Sequence, residues 1–327
     1  MRHLEAGFKG KNGVWRYLVM FVAVLVASNT VGAIPLIIAI AFRAASNPDV
    51  ISGLAANPND FSILGLDINV SFMMMLFPFI AGLGAFFLLV RPLHERSLMK
   101  TINGRDRFRW NRFFISGLVW LLLSSVYLFV YLKVDPSNFL HNSPALKTLL
   151  ILVGVSLVFI PFQAAFEEVL FRGYLMQGFA VLFRNRWLPV LTTSVLFGLM
   201  HAFNPEVKEF GFMVMMPQYI LFGLVFGVVA VADDGTEAAI GAHTANNIFL
   251  CVMVTHSSSA LQTPAIYEQV NIFPWGEFAA LLITGVLFVA ILKLVFRWKD
   301  LSALFGRVEN PGVLLSAEEN QTGLYTE

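Results

Sequence analysis

From Trp15 to Phe296 the chain is a succession of apolar stretches, most about twenty residues long, separated by short polar turns. About 20 predominantly apolar residues are what an α-helix needs to cross a hydrocarbon layer ~30 Å thick. A helix also satisfies its own backbone N–H and C=O groups where no water can reach them. The composition agrees: 57% of the 327 residues are hydrophobic and 13% charged, with mean hydropathy +0.72, against roughly 25% charged in soluble domains. The chain reads as an all-α polytopic membrane protein of about eight transmembrane helices, with any active site inside the helix bundle.

The stretches fall at roughly 15–42, 69–90, 113–134, 147–183, 187–203, 212–232, 238–255 and 278–296. They define a basic N-terminus at 1–16, one transmembrane helical domain at 17–297 and a polar tail at 298–327 that is expected to be disordered beyond Glu309. The first apolar run exceeds the 7 to 15 residues of a signal-peptide core and reads as a retained span. The net charge of +1 says nothing as a total, but its distribution does. Arg2, Lys9, Lys11 and Arg16, then Arg91, Arg96, Lys100, Arg105, Arg107, Arg109 and Arg112, then Arg184 and Arg186, all fall on one side of an eight-span topology. The positive-inside rule puts both termini in the cytoplasm, as in a multi-pass protein of the cell membrane. The single cysteine, Cys251, excludes an internal disulfide and a thiolate metal site, and reads as packing. The fourth stretch, from Lys147 to Phe183, would be ~54 Å long as a straight helix. It must tilt, bend near Gly173 or project from the bilayer.

Near the end of that stretch, FEEVLFRGY places Glu167, Glu168 and Arg172 where a spanning helix should carry Leu or Val. Each such charge costs roughly 2.5 to 3.5 kcal/mol at a helix centre on insertion scales, so the cluster is a functional-site hypothesis. Glu168 and Arg172 are four apart and share a face, which predicts an ion pair. Glu167 points about 100° away and is the carboxylate left for other work. His201 lies sixteen residues after Asn185 and Glu168 seventeen before it, so an antiparallel hairpin about that turn brings the two to one level. His243 and Asn247, four apart in GAHTANNIF, share a face of the seventh stretch, with Asn246 pointing elsewhere. Alone, an intramembrane histidine is more often a hydrogen-bond partner between helices than a catalyst, and an HxxxN pair has the same structural explanation. Together they supply a carboxylate and an imidazole to activate water and two donors for a developing oxyanion, a set suited to hydrolysing an acyl bond. Two other classes fit part of this pattern: a proton-coupled transporter relaying protons through the same groups, and a non-catalytic scaffold or immunity protein.

The motifs EExxxR (Glu167, Glu168, Arg172), FxxxH (Phe197, His201) and HxxxN (His243, Asn247), in that order and each on an apolar stretch, resemble those of the CAAX protease and bacteriocin-processing (CPBP, Abi) family of intramembrane endopeptidases. The resemblance covers a motif core at 161–255. It implies cleavage of a peptide bond in a membrane-associated protein or peptide. Glu167 and His201 would activate water, His243 and Asn247 would stabilise the oxyanion, and Glu168, Arg172 and Phe197 would support them. The family's metalloprotease label makes Zn²⁺ a possible cofactor, with Glu167, His201 and His243 as candidate ligands, although the spacing lacks the HExxH arrangement of standard zinc proteases. The expected partners are the lipid bilayer and the peptide substrate, with no nucleic acid, and the site is expected to open toward the cytoplasmic half of the membrane.

Overall fold

The structure, a computed structural model, describes residues 2–56 and 61–311. A short helix α1 (Arg2–Glu5) precedes α2 (Val14–Asn29) and α3 (Ile34–Ser46), which form one apolar stretch broken where Gly32 crosses Pro78. α4 (Asp49–Ala56), α5 (Ile68–His94), α6 (Leu98–Asn103) and α7 (Trp110–Val134) follow, then a short strand β1 (Phe139–His141). α8 (Leu146–Glu168) passes through a π-helical turn, Val169–Leu175, into α9 (Met176–Phe183). α10 (Trp187–Met200), α11 (Pro205–Phe210), α12 (Phe212–Ala232), α13 (Glu237–Met253), β2 (Val254–Thr255), β3 (Tyr267–Gln269) and α14 (Pro274–Phe296) complete the order. The strands form one small sheet, β1 antiparallel and β2 parallel to β3.

The protein is a polytopic helical membrane protein, but among the described residues six helical stretches, not eight, are long and apolar enough to cross a bilayer: Val14–Ser46, Ile68–His94, Trp110–Val134, Leu146–Phe183, Phe212–Ala232 and Pro274–Phe296. The two expected spans that fall short have different reasons. α10 has 14 residues, about 21 Å of helix, because the chain turns at His201 and restarts at Pro205. α13 carries Glu237, His243, Asn246 and Asn247 and packs between α7 and α8. A helix wrapped by other helices meets protein rather than lipid, so it can be polar. α7 and α13 approach backbone to backbone, since a Cβ on Gly241 would lie 2.0 Å from the Phe113 carbonyl oxygen and one on Gly117 would lie 3.0 Å from that of Gly241.

The fourth stretch runs through the π-helical turn, which contains Gly173, and passes beside α6. A Cβ on Gly173 would meet the Thr101 carbonyl oxygen at 3.0 Å. Around α9 the basic residues and both ends of the described chain gather into one layer. Gln177 accepts from Arg96 at 2.7 Å and donates to the His3, Lys100 and Thr101 carbonyls. The His3 ring is fully buried and bonds through Nε2 to the Arg172 carbonyl at 2.9 Å. Burial holds this imidazole below its ordinary range, so the neutral ring donates. Leu4 packs in one cluster with Leu304 and Val308, so this part of the tail folds back onto the bundle; of the tail expected to be disordered beyond Glu309, residues 312–327 lie outside the described residues. The turn at 233–237 supplies the counter-charges of the basic loop: Arg105 pairs with Asp234 at 3.0 Å, and Arg109 pairs with Glu237 at 2.5 Å and Asp233 at 3.1 Å.

The contact between α7 and α13 is testable. Gly241→Ala must push the Phe113 backbone away, and overpacking of this kind costs about 1–3 kcal/mol. The expected result is a lower thermal unfolding midpoint in detergent, and an unchanged midpoint would mean that the two helices can part freely.

Candidate functional site

The site is assembled around Glu168, the last residue of α8. Arg172, one turn on in the wide π-helical segment, donates from Nη1 to Glu168 Oε1 at 2.9 Å, with both side chains 0% exposed. Its Nη2 donates to the Gly223 carbonyl of α12 at 3.2 Å, and its guanidinium lies 4.2 Å over the Phe197 ring of α10. The ion pair expected from the four-residue spacing is therefore present and is supported from two further helices. His243 of α13 reaches the same carboxylate oxygen, Nδ1 lying 2.8 Å from Glu168 Oε1. The carboxylate accepts, so Nδ1 carries the proton and Nε2 is left for other partners. That nitrogen lies 3.7 Å from Glu167 Oε2. Phe222, Phe226 and Phe197 enclose the imidazole at ring-centre distances of 5.3, 5.5 and 6.2 Å. These apolar walls keep the local dielectric low and strengthen the charge interactions inside.

Glu167 is 8% exposed and takes a contact from Gln163 Nε2 to its Oε1 at 3.5 Å. Its other oxygen, Oε2, is the one facing His243. Asn247 is half-buried. Its Nδ2 donates to Gln163 Oε1 at 3.3 Å, and its oxygen accepts from Asn246 at 2.9 Å. The sequence-predicted residues Glu167, Glu168, Arg172, His243 and Asn247 thus belong to one connected group.

His201 differs from expectation. It does not sit on an apolar helix but caps the end of α10, with Nδ1 bonded to the Phe197 carbonyl at 2.8 Å. The last carbonyls of a helix have no partner within it, and this ring supplies one. Its proton is thereby placed on Nδ1, leaving Nε2 as an acceptor. The ring stacks on Tyr219 at 4.4 Å and 20°, packs against Phe197 at 4.7 Å, and lies within electrostatic range of both Glu167 and His243. Four nearby residues fall outside the motifs: Gln163, Trp120, Tyr219 and Asn246. A glutamine four residues before Glu167 in an otherwise apolar run, and a second asparagine beside Asn247, are the signals that could have marked two of them.

Among the described residues, no three His, Cys, Asp or Glu side chains gather as shared ligands of a metal ion. Of the three residues considered for Zn²⁺, His243 and His201 have their Nδ1 atoms engaged by Glu168 and by the Phe197 carbonyl. Their Nε2 atoms are left for other partners, and this is also how a metal-ligating histidine is ordinarily held.

Removing one partner of a buried pair leaves an uncompensated charge, at a cost of about 3–5 kcal/mol. Arg172→Met is therefore expected to lower the thermal midpoint in detergent more than the double variant Glu168→Gln/Arg172→Met does. The reverse order would show that Glu168 is not held by Arg172.

Residues 146–249 match the family model described as type II CAAX prenyl endopeptidase Rce1-like. A curated relative, the uncharacterized protein YyaK of Bacillus subtilis (strain 168), is 28% identical over 254 residues, which cover 77% of this chain and 81% of that protein. No solved structure matches. The matched segment contains every residue of the three motifs and the carboxylate on which the site is built, and it bears out their resemblance: residues 146–249 are similar to the Rce1-like type II CAAX prenyl endopeptidases.

Proposed function

We propose that the chain is an intramembrane endopeptidase that hydrolyses a peptide bond in a membrane-associated protein or peptide. The observation that carries this reading is the pair Glu167 Oε2 and His243 Nε2. The two atoms face each other at 3.7 Å in the buried interior of the bundle, with His243 held from behind by Glu168. That separation is longer than a hydrogen bond, so neither atom is consumed by the other.

In this mechanism Glu167 takes a proton from water as the water oxygen attacks the peptide carbonyl carbon. His201 Nε2 accepts the second hydrogen of that water and orients it, because its Nδ1–H is committed to the Phe197 carbonyl. The carbonyl π electrons move to oxygen. In its imidazolium form His243 donates from Nε2 to that oxyanion, and Asn247 donates its second amide hydrogen. With His243 so charged, the set of Glu167, Glu168, Arg172 and His243 carries no net charge. Collapse of the intermediate breaks the C–N bond, and the leaving amine takes its proton from Glu167. Glu168 and Arg172 position His243 and do not touch the reacting atoms. No step passes through a metal ion.

The matched family model supports a substrate anchored by a prenyl group near its C-terminus. The basic layer around α9, with both described ends of the chain, supports an orientation in which that end faces the cytoplasm. A quenched-fluorescent farnesylated peptide ending in a Cys-aliphatic-aliphatic-X sequence, presented in liposomes, is the probe, with products identified by mass spectrometry. Loss of a general base typically costs about 10²–10⁴ in rate. Glu167→Gln is therefore expected to lower kcat by that factor while the melting curve stays in place, and retained cleavage would remove the proposal. Cleavage by the wild type is also expected to persist in 1,10-phenanthroline. Inhibition reversed by added Zn²⁺ would overturn the metal-free mechanism.

A further inference from the structure

Four side-chain contacts run in one line from α7 to the carboxylate of Glu167. Trp120 Nε1 donates to Asn246 Oδ1 at 3.1 Å, and Asn246 Nδ2 to Asn247 Oδ1 at 2.9 Å. Asn247 Nδ2 donates to Gln163 Oε1 at 3.3 Å, and Gln163 Nε2 to Glu167 Oε1 at 3.5 Å. The two ends settle how the three amides between them must face. An indole N–H can only donate and a carboxylate can only accept. Turning any one amide over would set acceptor against acceptor on one side and donor against donor on the other. Only one polarity gives every contact a proton. Trp120 is 1% exposed and wedged edge-on against Phe222, Phe226 and Phe288, so its N–H cannot turn to another partner.

We infer that Trp120, Asn246 and Gln163 are positioning residues that set the polarity of this chain of contacts, fixing the amide of Asn247 and the carboxylate of Glu167 in their working orientations. Two consequences matter for the reaction, and they rest on the endopeptidase reading. The Asn247 oxygen is held by Asn246, so its remaining amide hydrogen, and not its oxygen, is what a substrate meets. Glu167 Oε1 is held by Gln163, so Oε2 is the oxygen presented to His243 and to water. None of the three residues touches the reacting atoms. Hydrogen bonds polarise one another in a medium of low dielectric, so a change at Trp120 is felt at Gln163, two amides away.

The test uses the full-length protein in detergent micelles, with side-chain amides labelled with ¹⁵N, and needs no substrate. Trp120→Phe keeps an aromatic ring and removes the donor. The expected result is a shift of the side-chain amide signals of Asn246, Asn247 and Gln163 together; a change that stops at Asn246 overturns the inference. Gln163→Met, which leaves Trp120 and its packing untouched, is the second variant. On the farnesylated probe it is expected to lower kcat about tenfold, the kinetic equivalent of one hydrogen bond, with KM within about twofold and an unchanged melting curve. Undiminished kcat in Gln163→Met, with an active wild type, would falsify the positioning role. Wild-type protein that cleaves nothing while the amide signals still move together would refute the endopeptidase reading and leave the polarised chain of contacts standing.

Discussion

One carboxylate oxygen, Glu168 Oε1, holds the centre of the molecule together. It accepts from Arg172 and from His243, and the Arg172 guanidinium in turn reaches the Gly223 carbonyl and the face of Phe197. Four helical elements therefore converge on a single ionic contact: the end of α8 with its π-helical turn, α10, α12 and α13. In lipid or in a dry protein interior an unpaired charge costs several kcal/mol or more, so none of these elements can retreat without exposing one. The constraint that makes the bundle close is the same one that fixes His243 Nδ1 and leaves Nε2 for chemistry. Stability and site geometry are not separable here.

The helices around this centre divide their work by what they touch. α5, α7 and α14 present apolar faces outward, with residues such as Leu88, Val126 and Ile283 exposed as a lipid-facing surface requires. α13 is enclosed and can carry two asparagines and a histidine, because its neighbours, not lipid, answer its polar groups. The close crossing of Gly241 on Phe113 follows from the same division. A polar helix that must bond laterally to Trp120 and Gln163 has to lie close to both α7 and α8, and small residues at the crossing permit that approach.

Much of the site is legible in the sequence because charged and amide residues inside apolar runs are rare and their spacing on a helix is fixed. The pairing of Glu168 with Arg172 follows from four-residue periodicity, whereas a count about Asn185 gives His201 only an expected level. What the count cannot supply is the conformation at each end of it. The π-helical turn at 169–175 has no composition of its own, since Val, Leu and Phe suit an α-helix equally well. The apolar run FGLMHAF reads as helix through His201, yet the helix stops one residue earlier and the ring caps it. Trp120 is invisible as a site residue, for a tryptophan in an apolar stretch usually packs, and only its indole N–H, aimed at Asn246, separates it from packing. Among the described residues only six of the eight stretches are helices long and apolar enough to cross a bilayer, because α10 stops at Met200 and α13 is short and carries polar residues.

Leu4 shares a hydrophobic cluster with Leu304 and Val308, along with Met176, Ala180, Val190 and Val231. Leu4 and Leu304 lie three hundred positions apart along the chain, so this layer joins distant segments. Pairings of such long sequence separation are slow to form, so this layer is expected to assemble slowly. His3, adjoining Leu4, then settles on the Arg172 carbonyl. The backbone of the central arginine is thereby tied, through His3, to this long-range layer.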